Sequence, residues 1–247
     1  MTGTTGGPTG DASGGAAPRR THVVTGAGSG IGRAAADRLH ARGDRLVLLA
    51  RTEERAGALR TAYDGAVVEV VDLADPAALA AWTLPEGIDA LDSVLHVAGV
   101  VHLGPVAELD DAAWHETMTV NLTAPVLLTR ALLPALRAAR GTAVFVNSSA
   151  GRVGHAGWAS YAASKFGLRG FADALREEEA ANGVRVSTVY PGRTATPMQE
   201  SVHAQEGADY DAERWIDPAT VAAAVLTCVD LPRDATMPEV VVKPGPR

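Results

Sequence analysis

A glycine-rich turn between a short apolar segment and a helix is the feature that most constrains how this chain can fold. His22–Thr25 predicts a strand, Gly26-Ala-Gly-Ser-Gly-Ile-Gly32 follows at once, and residues 33–40 favour a helix. Glycine allows a tight turn close to a pyrophosphate, whose charge the helix N-terminus attracts. Taken alone, the motif also suits an ordinary glycine-rich turn, so the surrounding pattern has to decide.

Apolar runs and helical segments alternate along the rest of the chain. Such strands indicate a mainly parallel sheet that is covered by helices on both faces. We therefore expect an α/β fold, a single doubly wound Rossmann-type domain over residues 19–247 with a seven-stranded sheet. The predicted strands are His22–Thr25, Arg45–Ala50, Ala66–Val71, Ser93–Val97, Thr142–Asn147, Val184–Val189 and Glu239–Val242.

The segments between these strands predict helices at Glu53–Ala62, from Asp75-Pro76 onward, and at Pro218–Val229. One long helix is expected from Ala112 to Ala139, and another runs to about Ala181. Residues 1–18 contain six glycines and no periodic apolar pattern, which predicts a disordered tail. The polar residues 194–214 show no clear core face.

Composition narrows the classes of partner. The net charge is −7 and no block of Lys or Arg occurs, which argues against nucleic acid and against an anionic membrane. The single cysteine, Cys228, excludes an internal disulfide, and no His, Asp and Glu cluster has the spacing of metal ligands, so no metal is expected. Without a signal peptide or a run of about 18 apolar residues, we expect a cytoplasmic protein.

Tyr161 and Lys165 lie four residues apart in Tyr-Ala-Ala-Ser-Lys, so on a helix both project from one face. A cation held near a phenol favours the phenolate and lowers its pKa from about 10 toward the range that acid–base catalysis needs. An amphipathic helix with an inward tyrosine and a solvated lysine would give the same spacing. The spacing alone therefore does not indicate catalysis, and the other motifs have to support a catalytic role for the pair.

Six motifs together resemble one family of enzymes. The glycine turn Thr25–Gly32, Ala98-Gly99, Asn121, Ser148, Tyr161–Lys165 and Pro191-Gly192 follow the order found in the short-chain dehydrogenase/reductase family. The resemblance covers about Thr21 to Pro244. It implies a nicotinamide-dependent oxidoreductase that interconverts a carbonyl and a secondary alcohol, with a small-molecule substrate and catalytic residues Asn121, Ser148, Tyr161 and Lys165.

The resemblance also implies a role for each of these residues. Tyr161 would exchange a proton with the substrate oxygen, while Lys165 would lower the pKa of Tyr161 and hold the nicotinamide ribose. Ser148, thirteen residues before the tyrosine, would bond the same oxygen. Apart from the resemblance, a serine at a strand end ordinarily caps the next turn, and we expect that role for Ser149. Because Pro125 has no N–H, we expect the carbonyl of Asn121 to lack its helical donor and to be able to bind a water linked to Lys165.

The cofactor is predicted from the end of the second strand. Family members that bind NAD usually have an acidic residue there, whereas this chain has Ala50 and Arg51. A guanidinium can bind a 2′-phosphate in bidentate fashion, so we expect NADP, with NAD possible if Glu53 or Glu54 pairs with Arg51. The expected cofactor-binding residues are Gly26, Ser29, Gly30, Ile31, Arg51, Asp72, Leu73, Ala98, Gly99, Tyr161, Lys165, Pro191, Gly192, Thr194 and Thr196.

One departure from the family pattern is His96-Val97, where two asparagines are usual, and we expect His96 to be a packed, hydrogen-bonded residue.

Residues 194–214 would form a mobile lid. The family also implies a homodimer or homotetramer. A catalytically weak NAD(P)-sensing protein and a scaffold unit remain alternatives. The expected substrate pocket comprises His102, Ser148, Val153, His155, Trp158 and Met198.

Overall fold

The computed structural model describes residues 19–246, and the predicted disordered tail at residues 1–18 lies outside this range. Strands and helices alternate along most of the chain. The strands are β1 Thr21–Thr25, β2 Arg45–Ala50, β3 Val67–Val70, β4 Ser93–His96, β5 Thr142–Val146, β6 Arg185–Pro191 and β7 Glu239–Val242. The helices are α1 Gly30–Ala41, α2 Glu53–Ala62, α3 Pro76–Ala81, α4 Asp111–Met118, α5 Ala124–Ala139, α6 Ala159–Glu179, α7 Pro197–Glu206 and α8 Pro218–Asp230.

The seven strands form one sheet in the order β3-β2-β1-β4-β5-β6-β7, and all six pairs are parallel. This confirms the predicted α/β fold. The strand order reverses between β1 and β4, and the loops after these two strands leave the sheet in opposite directions. In sheets of this kind, the crevice at the reversal point is where ligands bind.

Two apolar layers cover the sheet, because successive side chains of β1 and β2 point to opposite faces and both sets are apolar. Val24, Leu46 and Leu48 face one layer, which is completed by α1, α2 and α8. Val23, Val47 and Leu49 face the other, which is completed by α3, α5 and α6. Both layers are buried, and they fix the carboxyl ends of the strands at one edge.

Several helices begin with a cap that the sequence specifies. The side chains of Thr52, Asp75, Thr196 and Asp217 each accept a hydrogen bond from a backbone N–H in the first turn of α2, α3, α7 and α8. In α3, α7 and α8 proline follows the cap, where its missing N–H costs nothing. The predicted helix start at Asp75-Pro76 is therefore confirmed.

The prediction of one continuous helix from Ala112 to Ala139 is wrong as to its continuity. The helix is divided by a π-helical turn, Thr119–Thr123, into α4 and α5. The N–H of Ala124 bonds to the carbonyl of Thr119, five residues earlier, and Pro125 follows immediately. A wider turn is a natural response to proline, because its ring cannot sit against an ordinary α-helical carbonyl.

The stretch Asp111–Ala139 is long and apolar enough to cross a membrane by length and composition alone. Half of its most apolar part is buried within the molecule. The same composition is expected of a helix that packs against a sheet in the core, which is where α5 lies.

Residues 194–214 are more ordered than their polar composition indicates. They contain α7, which buries Gln199, Val202 and His203. The expectation that this segment has no core face is therefore wrong, because Val202 packs with Val101 and Tyr161 beside the sheet edge.

Candidate active site

A cavity of about 780 Å³ lies at the carboxyl ends of the strands, at the point where the strand order reverses. The structure brings every predicted cofactor-binding residue to its wall. Three of the four predicted catalytic residues, Ser148, Tyr161 and Lys165, also line it, whereas Asn121 lies behind the wall. The cofactor-binding residues on the wall are Gly26, Ser29, Gly30, Ile31, Arg51, Asp72, Leu73, Ala98, Gly99, Tyr161, Lys165, Pro191, Gly192, Thr194 and Thr196.

The glycine turn forms a cradle at the N-terminus of α1. Gly26 has a φ of 75°, and a Cβ at Gly32 would lie 2.2 Å from the carbonyl oxygen of Gly26. A side chain at Gly32 would therefore collide with the turn itself, and a Cβ at Gly26 would lie 2.9 Å from the backbone nitrogen of Ala98. The cradle fits the pyrophosphate of a dinucleotide, because the backbone can approach it closely and the N–H groups of α1 face its charge.

Two guanidinium groups lie at one end of the cavity. Arg51 follows β2, and Arg55 lies one turn into α2; both are exposed and both line the wall. The pairing of Arg51 with Glu53, which the sequence left open, does not occur, since Glu53 pairs with Arg60 instead. Sequence reasoning missed Arg55, although its spacing from Arg51 places both on the side where α2 begins.

Asp72 lies on the same end of the cavity. Its Oδ1 accepts a hydrogen bond from the N–H of Ala74 across 2.9 Å, which closes a turn at the end of β3. The cap of α3 is Asp75, so Asp72 is a turn residue whose second carboxylate oxygen remains to contact a ligand.

Tyr161 and Lys165 lie on one face of α6 and are both buried. The ammonium of Lys165 donates to the carbonyl of Val146 across 3.1 Å and lies 5.7 Å from the centroid of the Tyr161 ring. The helix therefore brings the pair together as the spacing predicts. The bond to Val146 holds the ammonium over the Tyr161 ring.

The expected lowering of the Tyr161 pKa by Lys165 is not found. Burial raises the pKa of Tyr161 above its ordinary value, and only the neighbouring Ser148 acts in the opposite direction. Burial also lowers the pKa of Lys165 to about 8. Both shifts have the same cause, because a site removed from water disfavours the charged form of either group. Near neutral pH, Tyr161 is a protonated phenol.

Ser148 ends the loop after β5. Its Oγ accepts a hydrogen bond from the N–H of Ala150 across 3.1 Å and caps a short 3₁₀ turn, Ser149–Gly151. The cap expected of Ser149 is therefore supplied by Ser148. Accepting that bond uses a lone pair of the hydroxyl, so its proton remains available for a second oxygen.

Asn121 lies in the π-helical turn and is fully buried. Its Oδ1 accepts from the N–H of Val100 across 2.8 Å, and its Nδ2 donates to the carbonyl of Val100 and to Ser164 Oγ. Ser164 in turn donates to the carbonyl of Tyr161 across 2.7 Å. Asn121 thus ties the loop after β4 to the first turns of α6. The predicted water at its carbonyl stays a prediction.

Sequence reasoning missed Asn147, which precedes Ser148. Its Nδ2 donates to the carbonyl of Lys165 across 3.0 Å, and its Oδ1 accepts from the N–H of Ser148 across 2.8 Å. Gly151 leaves room for it, since a Cβ there would lie 2.2 Å from Asn147 Oδ1. A buried amide at a strand end, next to a candidate catalytic serine, is the signal that could have identified it.

His96 is a packed histidine, as the sequence indicated. It is stacked on Phe145 with ring centroids 4.9 Å apart, and its Nε2 is 2.9 Å from Thr129 Oγ1. The backbone next to it is held by Thr25, whose Oγ1 accepts from the N–H groups of Val97 and Ala98. These bonds keep the loop after β4 in place without the family's asparagines.

An apolar cluster lies beside the phenol of Tyr161. Val101, Ala150 and Val202 are buried in it, and Leu103, Trp158 and Met198 pack against it. Ser148, His155, Trp158 and Met198 line the cavity as predicted, whereas His102 and Val153 do not. His102 turns toward Glu116, with Nε2 2.8 Å from Oε2, and Val153 is exposed to solvent.

An ion pair that the sequence did not reveal, Arg193 with Glu206, joins the loop after β6 to the end of α7. Arg193 donates two hydrogen bonds to Glu206, across 2.8 and 2.7 Å, and its guanidinium lies 5.4 Å from the Trp215 ring. Arg193 and Glu206 both line the cavity.

Within residues 19–246 no group of three His, Cys, Asp or Glu side chains could hold a metal ion.

Comparisons of the sequence agree with this geometry. The model of the short chain dehydrogenase family matches residues 20–207. The oxidoreductase YciK of Escherichia coli K12 is 34% identical over 213 residues, which cover 82% of each chain. A 3-oxoacyl-acyl-carrier-protein reductase, FabG of Vibrio harveyi, is 32% identical over 213 residues, covering 83% of this chain and 87% of that protein.

Solved structures give the same result. A metagenomic short-chain oxidoreductase in complex with NADP is 33% identical, with a TM-score of 0.76 over 92% of this chain and 98% of that one. A short-chain dehydrogenase from Streptomyces avermitilis is 28% identical, with a TM-score of 0.78 over 92% and 89%. The chain therefore belongs to the short-chain dehydrogenase family of oxidoreductases, which act on CH–OH and C=O groups with NAD(P).

Proposed function

We propose that this protein is an NADP(H)-dependent oxidoreductase that interconverts a carbonyl and a secondary alcohol. The observation that carries the proposal is the grouping of Ser148, Tyr161 and Lys165 at one end of a single cavity, with Arg51 and Arg55 at the other. The nicotinamide of the bound cofactor supplies or accepts the hydride. The residues of this chain bind the cofactor, orient the substrate and transfer the proton.

Tyr161 is the proposed acid in the reducing direction. Its raised pKa keeps the phenol protonated near neutral pH, so it can donate a proton to the substrate oxygen as the carbonyl carbon accepts hydride. In the oxidising direction, the same oxygen would receive the proton of the alcohol.

Ser148 is the proposed hydrogen-bond donor to the same substrate oxygen. Its Oγ is held in place by the bond it accepts from Ala150, which leaves the hydroxyl proton for the oxygen on which negative charge develops. Lys165 is the proposed contact to the cofactor ribose. Asn121 acts through its neighbours, because it bonds to Val100 and Ser164 rather than lining the cavity.

NADP is the proposed cofactor because of the charge at the far end of the cavity. A 2′-phosphate there would meet Arg51 and Arg55, two groups suited to bidentate phosphate binding. A relative of known structure, the metagenomic short-chain oxidoreductase, holds NADP in the same fold. NAD would leave both guanidinium groups without that partner.

Three further features belong to the proposal. Residues 194–214, which include α7, would act as a lid over the substrate. The domain would occupy residues 19–247, and the protein would work in the cytoplasm as a homodimer or homotetramer. The lid is supported by the fact that Thr194, Thr196, Met198 and Glu206 all line the cavity.

The second candidate is a protein that binds NAD(P) as a signal and turns over weakly. The presence of Ser148, Tyr161 and Lys165 on one cavity wall favours catalysis, because a sensor needs none of the three. Measuring NADPH oxidation against a panel of ketones, aldehydes and 3-oxoacyl thioesters separates the two. Turnover of at least one class is expected of the enzyme, whereas tight NADPH binding with no turnover of any compound would favour the sensor.

A further inference from the structure

A second cavity, of about 310 Å³, lies beside the first. It is formed by the loop after β4, the loop before α6 and the C-terminal end of α7. Trp158 and Glu206 line both cavities, so the two share a wall. The rest of its wall includes Leu103, Pro105 and Ala156, which are apolar.

An apolar surface connects the proton donor with this second cavity. The rings of Tyr161 and Trp158 meet edge to face with centroids 5.8 Å apart. Trp158 and Leu103 pack on the buried cluster that contains Tyr161, and both also line the second cavity. A carbonyl compound bound at Tyr161 would therefore find apolar contact continuing past Trp158.

Hydrogen bonds hold the walls of the second cavity in place. The N–H of Gly104 donates to the carbonyl of Gly157 across 2.8 Å, joining the two loops. The N–H of Leu103 donates to Gln205 Oε1 across 2.9 Å, joining one loop to α7. A site fixed in this way loses little conformational entropy when a ligand enters.

The charge around the cavity selects against an anionic group. Among the described residues on its wall, the one charged side chain is Glu206, and its carboxylate is held by Arg193. A carboxylate or phosphate placed there would lose its hydration without gaining a cation. An uncharged aliphatic or aryl group would instead bury apolar surface against Trp158 and Leu103.

We propose that the second cavity is the distal part of the substrate site and binds the uncharged, apolar end of an extended carbonyl substrate. This inference rests on the proposed oxidoreductase function, because it places the reacting carbonyl at Tyr161. It adds the class of the substrate: a neutral ketone, or the corresponding alcohol, with a long apolar substituent.

The test uses NADPH-dependent reduction of methyl ketones from butanone to decanone by the full chain. We expect kcat/KM to rise about three- to fourfold for each methylene that is buried, and then to level off. The decanone analogue whose distal end carries a carboxylate should be reduced with a kcat/KM about tenfold or more below that of decanone. Equal kcat/KM values across the series, or no turnover of any ketone by an enzyme that reduces an aldehyde or a 3-oxoacyl thioester, would overturn the inference alone. No turnover of any compound of these three classes would overturn the proposed function as well.

Two variants fill the second cavity independently. Ala156→Trp places an indole on its wall, and Gly104→Phe adds a ring at a position where a Cβ meets nothing within 4 Å. Each should lower the ratio of kcat/KM for decanone over butanone about tenfold or more. The matched control is Ala107→Trp, an exposed alanine outside both cavity walls, which should leave the ratio unchanged. An unchanged ratio in a folded cavity-filling variant would contradict the inference.

Discussion

The side-chain amide of Asn147 donates a hydrogen bond to the main-chain carbonyl of Lys165 across 3.0 Å. The same amide accepts a bond from the N–H of Ser148 across 2.8 Å. One buried side chain therefore sets the position of the serine at the end of β5 relative to the lysine on α6. Because Tyr161 lies one turn before Lys165, the amide also fixes the distance between the serine and the phenol.

Asn147→Ala is expected to lower kcat about 10- to 100-fold, because a small displacement of the reacting groups is costly. The Kd for NADPH should change less than kcat, since Asn147 acts through Ser148 and Lys165 and only Lys165 is the proposed cofactor contact. The unfolding free energy should fall by about 1–3 kcal/mol as two buried groups lose their partner. Asn182→Ala, which removes one part-buried bond to Glu179 far from the cavity wall, is the control. An unchanged kcat in Asn147→Ala would refute the positioning role.

Replacing Arg51 or Arg55 by alanine is expected to reduce the preference for NADPH over NADH. Each charge-assisted bond to a 2′-phosphate contributes about 1.5–3 kcal/mol, so each change should lower the ratio of kcat/KM values about tenfold or more. Arg38→Ala, an exposed arginine of α1 outside the cavity wall, should leave the ratio unchanged. A wild-type protein that uses both cofactors equally, or prefers NADH, would exclude this role for the two arginines.

The pH profile of reduction is expected to fall on the alkaline side near the pKa of Lys165. Burial lowers that pKa to about 8, whereas it raises the pKa of Tyr161. As the pH rises, the ammonium is therefore lost before the phenol, and with it the contact to the cofactor. Measuring kcat/KM for reduction from about pH 6 to pH 10 tests this order. A profile that stays flat to pH 10 would show that the charge of Lys165 is not needed.

His96 is expected to make the fold less stable in mildly acidic solution. Burial lowers its pKa to about 3, so the unfolded chain, with an ordinary pKa of about 6.5, binds a proton that the folded protein does not. The contribution of the neutral, buried His96 to the free energy of unfolding is complete above about pH 6.5. It is lost as the pH falls, by up to about 2 kcal/mol near pH 5. Chemical unfolding of the wild type and of His96→Asn should differ in this pH dependence. Parallel curves for the two proteins would contradict the prediction.

The sequence was informative where a function depends on local spacing. The glycine turn, the Tyr161–Lys165 pair and the helix start at Asp75-Pro76 are short patterns, and the structure has them where they were expected. The parallel sheet followed from the apolar runs, because a strand that is buried on both faces has no polar alternation.

Features that depend on distant segments were missed. Asn147 acts on a residue 18 positions away, and the Arg193–Glu206 pair needs the return of α7 to the sheet edge. The burial that raises the pKa of Tyr161 was missed for a related reason. A spacing of four residues indicates that a cation is near, but the burial that dominates the pKa is set by Trp158, Val202 and their neighbours.

The π-helical turn before Pro125 is an intermediate case. The proline showed that the hydrogen bonds of a straight helix are interrupted, yet the sequence did not show how the backbone would respond. The response depends on the packing of α4 and α5 and on the bonds of Asn121 to Val100, which a single sequence does not specify.

The central claim is that the phenol of Tyr161 donates the proton in carbonyl reduction, and Tyr161→Phe tests it most directly. The change removes one hydroxyl and keeps the ring that packs against Trp158. We expect kcat for NADPH-dependent ketone reduction to fall about 10²- to 10⁴-fold while the Kd for NADPH and the unfolding temperature stay near those of the wild type. Reduction by the phenylalanine variant at a rate close to that of the wild type would contradict the account.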